Sequence, residues 1–113
     1  MVRAILLAAI VCLLAAPTAS ANSEIEKKQA GAKVAICKVF GPYCKQALAV
    51  AWCESKWYVW AGNGQYLGLF QMGSYARSRY GHHTTNAWKQ ARYAYRYFVD
   101  SGKDWSPWSC KPW

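Results

Sequence analysis

Only five side chains in the sequence carry a carboxyl group, Glu24, Glu26, Glu54, Asp100 and Asp104. Any carboxylate chemistry must come from this short list. Glu54 stands apart by its position. Ala47, Val50 and Ala51 recur at i, i+3 and i+4 of a helical pattern, and Glu54 takes the i+7 place on the same face. A glutamate that continues a core-facing stripe loses water, which disfavours its charged form and raises its pKa. Its place in the last turn, at the negative end of the helix dipole, acts in the same direction. Trp52, Trp57 and Trp60 stand close in the chain and could wall it in. A carboxyl kept protonated near neutral pH is what a general acid needs to donate to a glycosidic oxygen. Residue type and spacing leave a second reading open, in which Glu54 turns to water and pairs with Lys56 or an arginine.

A retaining glycosidase holds a second carboxylate about 5 Å from the first, and an inverting one holds it about 6.5–9.5 Å away. The candidates, Asp100 and Asp104, fall at the end of the last helical segment and just past it. Solvated end-of-helix roles suit both better, so a single-carboxylate mechanism fits this composition. His82-His83 lacks further residues at ligand spacing and reads as a loop pair. Gly62-Asn63-Gly64 is a turn and not a phosphate cradle, because no Lys-Ser/Thr follows it at helix-start spacing.

Arg3, the apolar run Ile5–Ala16, Pro17 and the small-x-small Ala19-Ser20-Ala21 read as a signal peptide, 1–21, removed from an exported chain. The apolar run is shorter than the roughly 20 residues a bilayer needs. The membrane is therefore expected to be met only through the transient leader. Cys12 would leave with it. The remaining Cys37, Cys44, Cys53 and Cys110 are even in number and read as two disulfides. None stand as C-x-x-C and their spacings of 7, 9 and 57 are irregular, which argues against zinc. No metal or cofactor is expected. Three pairings are possible. Gly41-Pro42 lets the chain double back between Cys37 and Cys44, which straight helix would hold about 10 Å apart. That favours Cys37–Cys44 with Cys53–Cys110 without excluding the others.

Residues 22–35 are polar and rich in Lys, Ala and Glu, a frayed helical lead-in, and the domain proper is read as 36–113. Pro42 opens a helix at a tolerated position that runs to about Ser55. Residues 56–66 form an aromatic, Gly/Asn-rich loop, and 66–72 is a short apolar stretch, either a strand or a buried helical start. Residues 74–80 are a short helix stopped by Gly81, and a final helix is capped by Asn86 and closed by Gly102. Its Ala87, Ala91, Ala94 and Phe98, widened by Trp88 and Tyr95, form a core stripe. The fold class is a small, mainly α domain with little or no β-sheet.

Four segments then occur in order: Cys53-Glu54-Ser55, Gly68-Leu69-Phe70-Gln71-Met72, Ala94-Tyr95-Arg96-Tyr97-Phe98 and Trp105-Ser106-Pro107-Trp108-Ser109-Cys110. Spread over 36–110, about two-thirds of the chain, this set resembles the lysozyme-like soluble lytic transglycosylase superfamily. It is most similar to the small secreted actinobacterial domains related to resuscitation-promoting factors. The resemblance implies a lysozyme-like helical domain that cleaves the MurNAc–GlcNAc β-1,4 bond of peptidoglycan. By position, it implies Glu54 as the catalytic acid, Ser55 as its motif neighbour and Gln71 as the glutamine facing the cleft. Tyr95 is the best match to the third-motif tyrosine, with Tyr93 and Tyr97 as competing registers. The resemblance also favours Cys53–Cys110, tying the catalytic helix to the tail. In such enzymes the nucleophile is the muramyl 6-hydroxyl and the product is a 1,6-anhydro sugar; water in its place makes a muramidase. The sequence does not choose between them.

Sugar faces stack on aromatic planes, so Trp57, Tyr58, Trp60 and Tyr66 are expected to border the cleft. Without Arg3 the chain carries thirteen Lys and Arg against five acids, a net +8. In an exported protein that points to glycan strands and anionic wall polymers as partners, not nucleic acid. The chain is read as a monomer, extracellular or wall-associated. A basic, non-catalytic wall- or membrane-binding module is the competing reading.

Overall fold

The computed structural model describes the backbone of residues 2–113 and the side chains of residues 21–113. The expected leader, 1–21, lies outside the described side chains apart from Ala21. The fold is mainly helical: α1 (Val2–Phe40), α2 (Cys44–Ser55), α3 (Ser74–Tyr80) and α4 (Ala87–Asp100), with a 3₁₀ turn, Gly41–Tyr43, joining the first two. No sheet forms among the described residues. The stretch 66–72 is neither strand nor helix. It folds back on itself through isolated bridges of Leu67 with Gly62 and with Met72, and Gly68 turns the chain at φ +84°.

The segment 22–35 is not frayed. It continues α1 without a break and contributes Ala32 and Ala35 to the core. With Ile36 and Phe40 they occupy i, i+3, i+4 and i+8, one face of the helix, which packs along α2 and α4. The reversal after α1 uses Gly41 in the left-handed region at φ +54°. It brings the Cα atoms of Cys37 and Cys44 to 4.4 Å, and these two cysteines are bonded. Cys53 and Cys110 form the second disulfide across 57 residues.

The core is aromatic, and Phe40 sits at its centre. Phe70 and Trp105 stack on it at 5.3 and 5.6 Å, and Tyr95 meets it edge-on at 5.2 Å. Trp105 is completely buried, and its indole N–H donates to Gln46 Oε1 at 2.8 Å. The α4 stripe is buried at Ala91, Ala94 and Phe98, but Trp88 turns outward and is 42% exposed.

One polar residue on α4 holds the loops in register. Gln90 is buried; its Oε1 accepts from Leu69 N–H at 2.8 Å, and its Nε2 donates to Val59 O at 2.9 Å and His83 O at 2.7 Å. Those partners belong to three separate loop segments, and no sheet ladder pairs them. A Cβ on Gly68 would come within 2.7 Å of that Oε1, so the glycine lets the turn close onto the amide. Replacing Gln90 with Leu leaves one amide and two carbonyls without their partner. At about 1–3 kcal/mol for each buried unpaired group, Gln90→Leu is expected to lower stability by roughly 3 kcal/mol or more. Thermal unfolding by circular dichroism checks this; an unchanged Tm contradicts it.

Candidate active site

Glu54 lies half-buried in the last turn of α2, continuing the face of Ala47, Val50 and Ala51, all fully buried. Its Oε2 accepts the backbone N–H of Cys110 at 3.3 Å. Burial pushes its pKa above the usual 4.5, against smaller downward pulls from the Cys110 hydrogen bond and the nearby Lys111 charge. The carboxyl opens into a cavity of about 240 Å³ whose other walls are Tyr66, Gln71, Pro107, Trp108 and Ser109. Tyr66, Gln71, Pro107 and Trp108 also line an adjoining hollow of about 270 Å³ that reaches Ser74, Tyr75 and Tyr97. The two form one groove with Glu54 at one end and aromatic rings along its length.

Local geometry aims each wall residue. Asn63 Oδ1 accepts from the backbone N–H groups of Gln65 and Tyr66 at 3.2 and 3.1 Å, the Asx turn that Asn favours, and this sets where Tyr66 leaves the loop. Gln71 adopts a left-handed backbone at φ +45°. Its Nε2 donates to Ala61 O at 3.1 Å and Gly68 O at 2.9 Å. Both amide hydrogens are thus engaged, and the group Gln71 offers a ligand is its Oε1 acceptor. Trp108 is pinned by its indole N–H to Phe70 O at 2.9 Å. Lys111 Nζ donates to the carbonyls of Trp105, Ser106 and Trp108, which shapes the tail beside Glu54.

Several expected site residues stand elsewhere. Ser55 is buried, with its hydroxyl 2.9 Å from Ala51 O and 2.7 Å from Leu69 O. It ties α2 to the 66–72 turn and presents nothing to a ligand in the groove. Trp57 also lies off the groove. Lys56 and Trp57 both take left-handed φ, +53° and +61°, and swing the chain away, so that Trp57 donates its indole N–H to Leu48 O at 2.9 Å. Trp52, Tyr58 and Trp60 follow that side and do not line the groove. Tyr95 packs on Phe40, and Tyr97, two residues on, faces the groove instead. Of the expected residues, Glu54, Gln71 and Tyr66 come together. Tyr97 is the competing register of the third motif, whereas Trp108 and Lys111 carry no site role in the sequence reading, although a Cys53–Cys110 bond alone carries the tail to Glu54.

The other carboxylates do not line the groove. Asp100 accepts the Tyr80 hydroxyl at 2.7 Å and lies 3.9 Å from Arg79. Asp104 accepts the Ser106 N–H at 2.9 Å, which holds its pKa below the usual range. His83 Nδ1 accepts the N–H groups of Thr85 and Asn86 at 3.2 and 3.0 Å, a loop-closing role. Among the described residues no group of three or more His, Cys, Asp or Glu could hold a metal ion. The groove can therefore offer one carboxyl of raised pKa, the Gln71 Oε1 acceptor and aromatic ring surfaces.

No protein-family model matches the chain, and neither a curated protein nor a solved structure matches it.

The raised pKa of Glu54 has a stability consequence of definite sign. A folded-state value above the unfolded one means that the protonated carboxyl contributes stability that is fully present below the usual 4.5. That contribution is lost as pH rises through the folded value. Glu54→Gln, which mimics the protonated form, is expected to melt above the parent at neutral pH, with the gap closing on acidification below 4.5. Melting curves across pH test this; a variant less stable at neutral pH, with the deficit shrinking in acid, contradicts it.

Proposed function

We propose that this chain is a secreted, lysozyme-like enzyme that cleaves the MurNAc–GlcNAc bond of peptidoglycan, with Glu54 as its single acid/base. One observation carries the reading: a desolvated carboxyl stands at the end of an aromatic-lined groove that holds no second carboxylate. The four-segment resemblance adds the substrate class. The disulfides fit an oxidising compartment, and the net positive charge suits an anionic wall.

In this reading a glycan strand lies along the groove with sugar faces on the exposed rings of Tyr66 and Tyr75 and a hydroxyl donating to Gln71 Oε1. Glu54 gives its proton to the glycosidic oxygen as the C1–O4 bond breaks. The carboxylate so formed is steadied by the Cys110 N–H and the Lys111 charge. It then takes the proton of the muramyl 6-hydroxyl as O6 bonds to C1, and Glu54 is restored. Water attacking in place of O6 yields a hydrolase product, but a hydrolase of either ordinary type draws on a second carboxylate.

Removing the proton donor should reduce turnover by the 10²- to 10⁴-fold typical of general acid catalysis. Glu54→Gln is expected to release fragments from purified walls at about that reduced rate while still sedimenting with them. Parent activity should decline as pH rises through the raised Glu54 pKa. Wild-type protein that binds walls but releases nothing, with Glu54→Gln unchanged in both assays, would establish a non-catalytic binding module instead.

A further inference from the structure

We infer that the hollow between α1 and the start of α4 is a second glycan-binding site, for a sugar unit whose attached substituent carries a carboxylate. Lys28, Gly31 and Ala32 of α1, Trp60 and the Ala87-Trp88 start of α4 line it, enclosing about 300 Å³. It shares no lining residue with the Glu54 groove. One face of Trp60 stacks on Tyr58 at 5.0 Å, but Trp60 and Trp88 remain 47% and 42% exposed, which leaves indole surface for the apolar face of a sugar ring.

Charge selects an anionic sugar. Among the described residues Lys28 is the only charged one lining the hollow, with its Nζ 5.1 Å from the centroid of the Trp60 ring. The ion pairs among the described residues, Lys27–Glu24 and Arg79–Asp100, do not involve it. The neighbouring rings repeat the arrangement, with Lys33 Nζ 4.6 Å from Trp57 and Lys56 Nζ 4.7 Å from Trp52. The Trp52 and Trp57 rings lie 4.6 Å apart, so these two lysines share one aromatic patch. The surface is concave and admits a ring-sized group, whereas a lipid surface is met by apolar side chains standing proud of their surroundings.

Gly31 supplies an independent argument. A glycine inside a helix destabilises it relative to alanine, and nothing in the fold requires one here. A Cβ at Gly31 would meet no atom within 4 Å, and its φ is not in the left-handed region. Its effect is to leave the helix backbone bare on the floor of the hollow, where a ligand can approach closely. The nature of the glycan rests on the wall-cleaving reading of Glu54; the location of the site does not.

The test measures sedimentation of the full chain carrying Glu54→Gln with purified peptidoglycan sacculi stripped of phosphate polymers. Neutral chitin and phosphatidylglycerol vesicles serve as comparison probes. Gly31→Leu fills open space with a good helix former, so it should fold at least as well while plugging the hollow. It and the Trp60→Ala, Trp88→Ala pair are expected to weaken sacculus binding about ten-fold. Lys28→Gln should weaken it roughly three-fold, a deficit that closes at about 1 M salt and is absent on chitin. Unchanged sacculus binding by Gly31→Leu overturns the inference, as does an effect of these variants on vesicles alone, which would mark a lipid surface. In the Glu54 parent, fragment release is scored separately. If release is absent while the hollow variants still lose binding, the catalytic reading fails and this site stands.

Discussion

One wall of the groove, the one beside Glu54, is a tail that has no regular secondary structure of its own, and the surroundings of Glu54 depend on how that tail is held. Three attachments of different kind converge on it. Trp105 inserts into the aromatic core beneath Phe40, the Trp108 indole bonds Phe70 O, and Cys110 is bonded to Cys53, the residue before Glu54. For a loop of 57 residues the chain-entropy estimate of the disulfide's contribution is about 4 kcal/mol, a large share of the stability of a small domain. The same attachment brings the Cys110 N–H to the carboxylate and Lys111 close to it. Stability and the electrostatics of the site are thus set by one clamp.

The opposite wall is organised by polar groups that find partners in the interior. Gln90 and Ser55 satisfy the backbone of the loops in place of a sheet, consistent with the rule that buried polar atoms are paired. The left-handed backbones of Lys56, Trp57 and Gln71 cluster around the same loop. Each costs of order 1–3 kcal/mol for a non-glycine residue, and such costs persist only where surrounding packing imposes them. Here they turn the chain abruptly after Glu54-Ser55 and set Gln71 into the groove.

The helices were readable because punctuation and periodicity agree. Gly41-Pro42, Gly81, Asn86 and Gly102 bound the elements where they are observed, and the stripe ending at Glu54 predicts both its burial and the direction of its pKa. Nearness in sequence misled where the backbone takes an unusual turn. Trp57 is three residues from Glu54, yet two left-handed residues send it to another face, and the aromatic wall comes instead from Tyr66 and the distant Trp108. Tyr95 and Tyr97 lie on nearly opposite sides of α4, so a two-residue uncertainty in register decides between core and groove. The core role of 22–35 was hidden because small alanines, Ala32 and Ala35, do the packing among lysines and glutamates. Gln90 was missed because a polar residue beside an apolar stripe reads as its solvent edge until the loops it satisfies are known.

The proposed mechanism rests on a single carboxyl, that of Glu54. Its most direct test is mass spectrometry of the soluble fragments released from purified peptidoglycan by the wild-type protein. A single-carboxylate mechanism predicts muropeptides ending in 1,6-anhydro-muramyl residues, their formation slowed by roughly 10²- to 10⁴-fold in Glu54→Gln. Fragments with reducing muramyl ends would contradict the single-carboxylate mechanism, and the absence of any fragment would contradict the enzymatic reading itself.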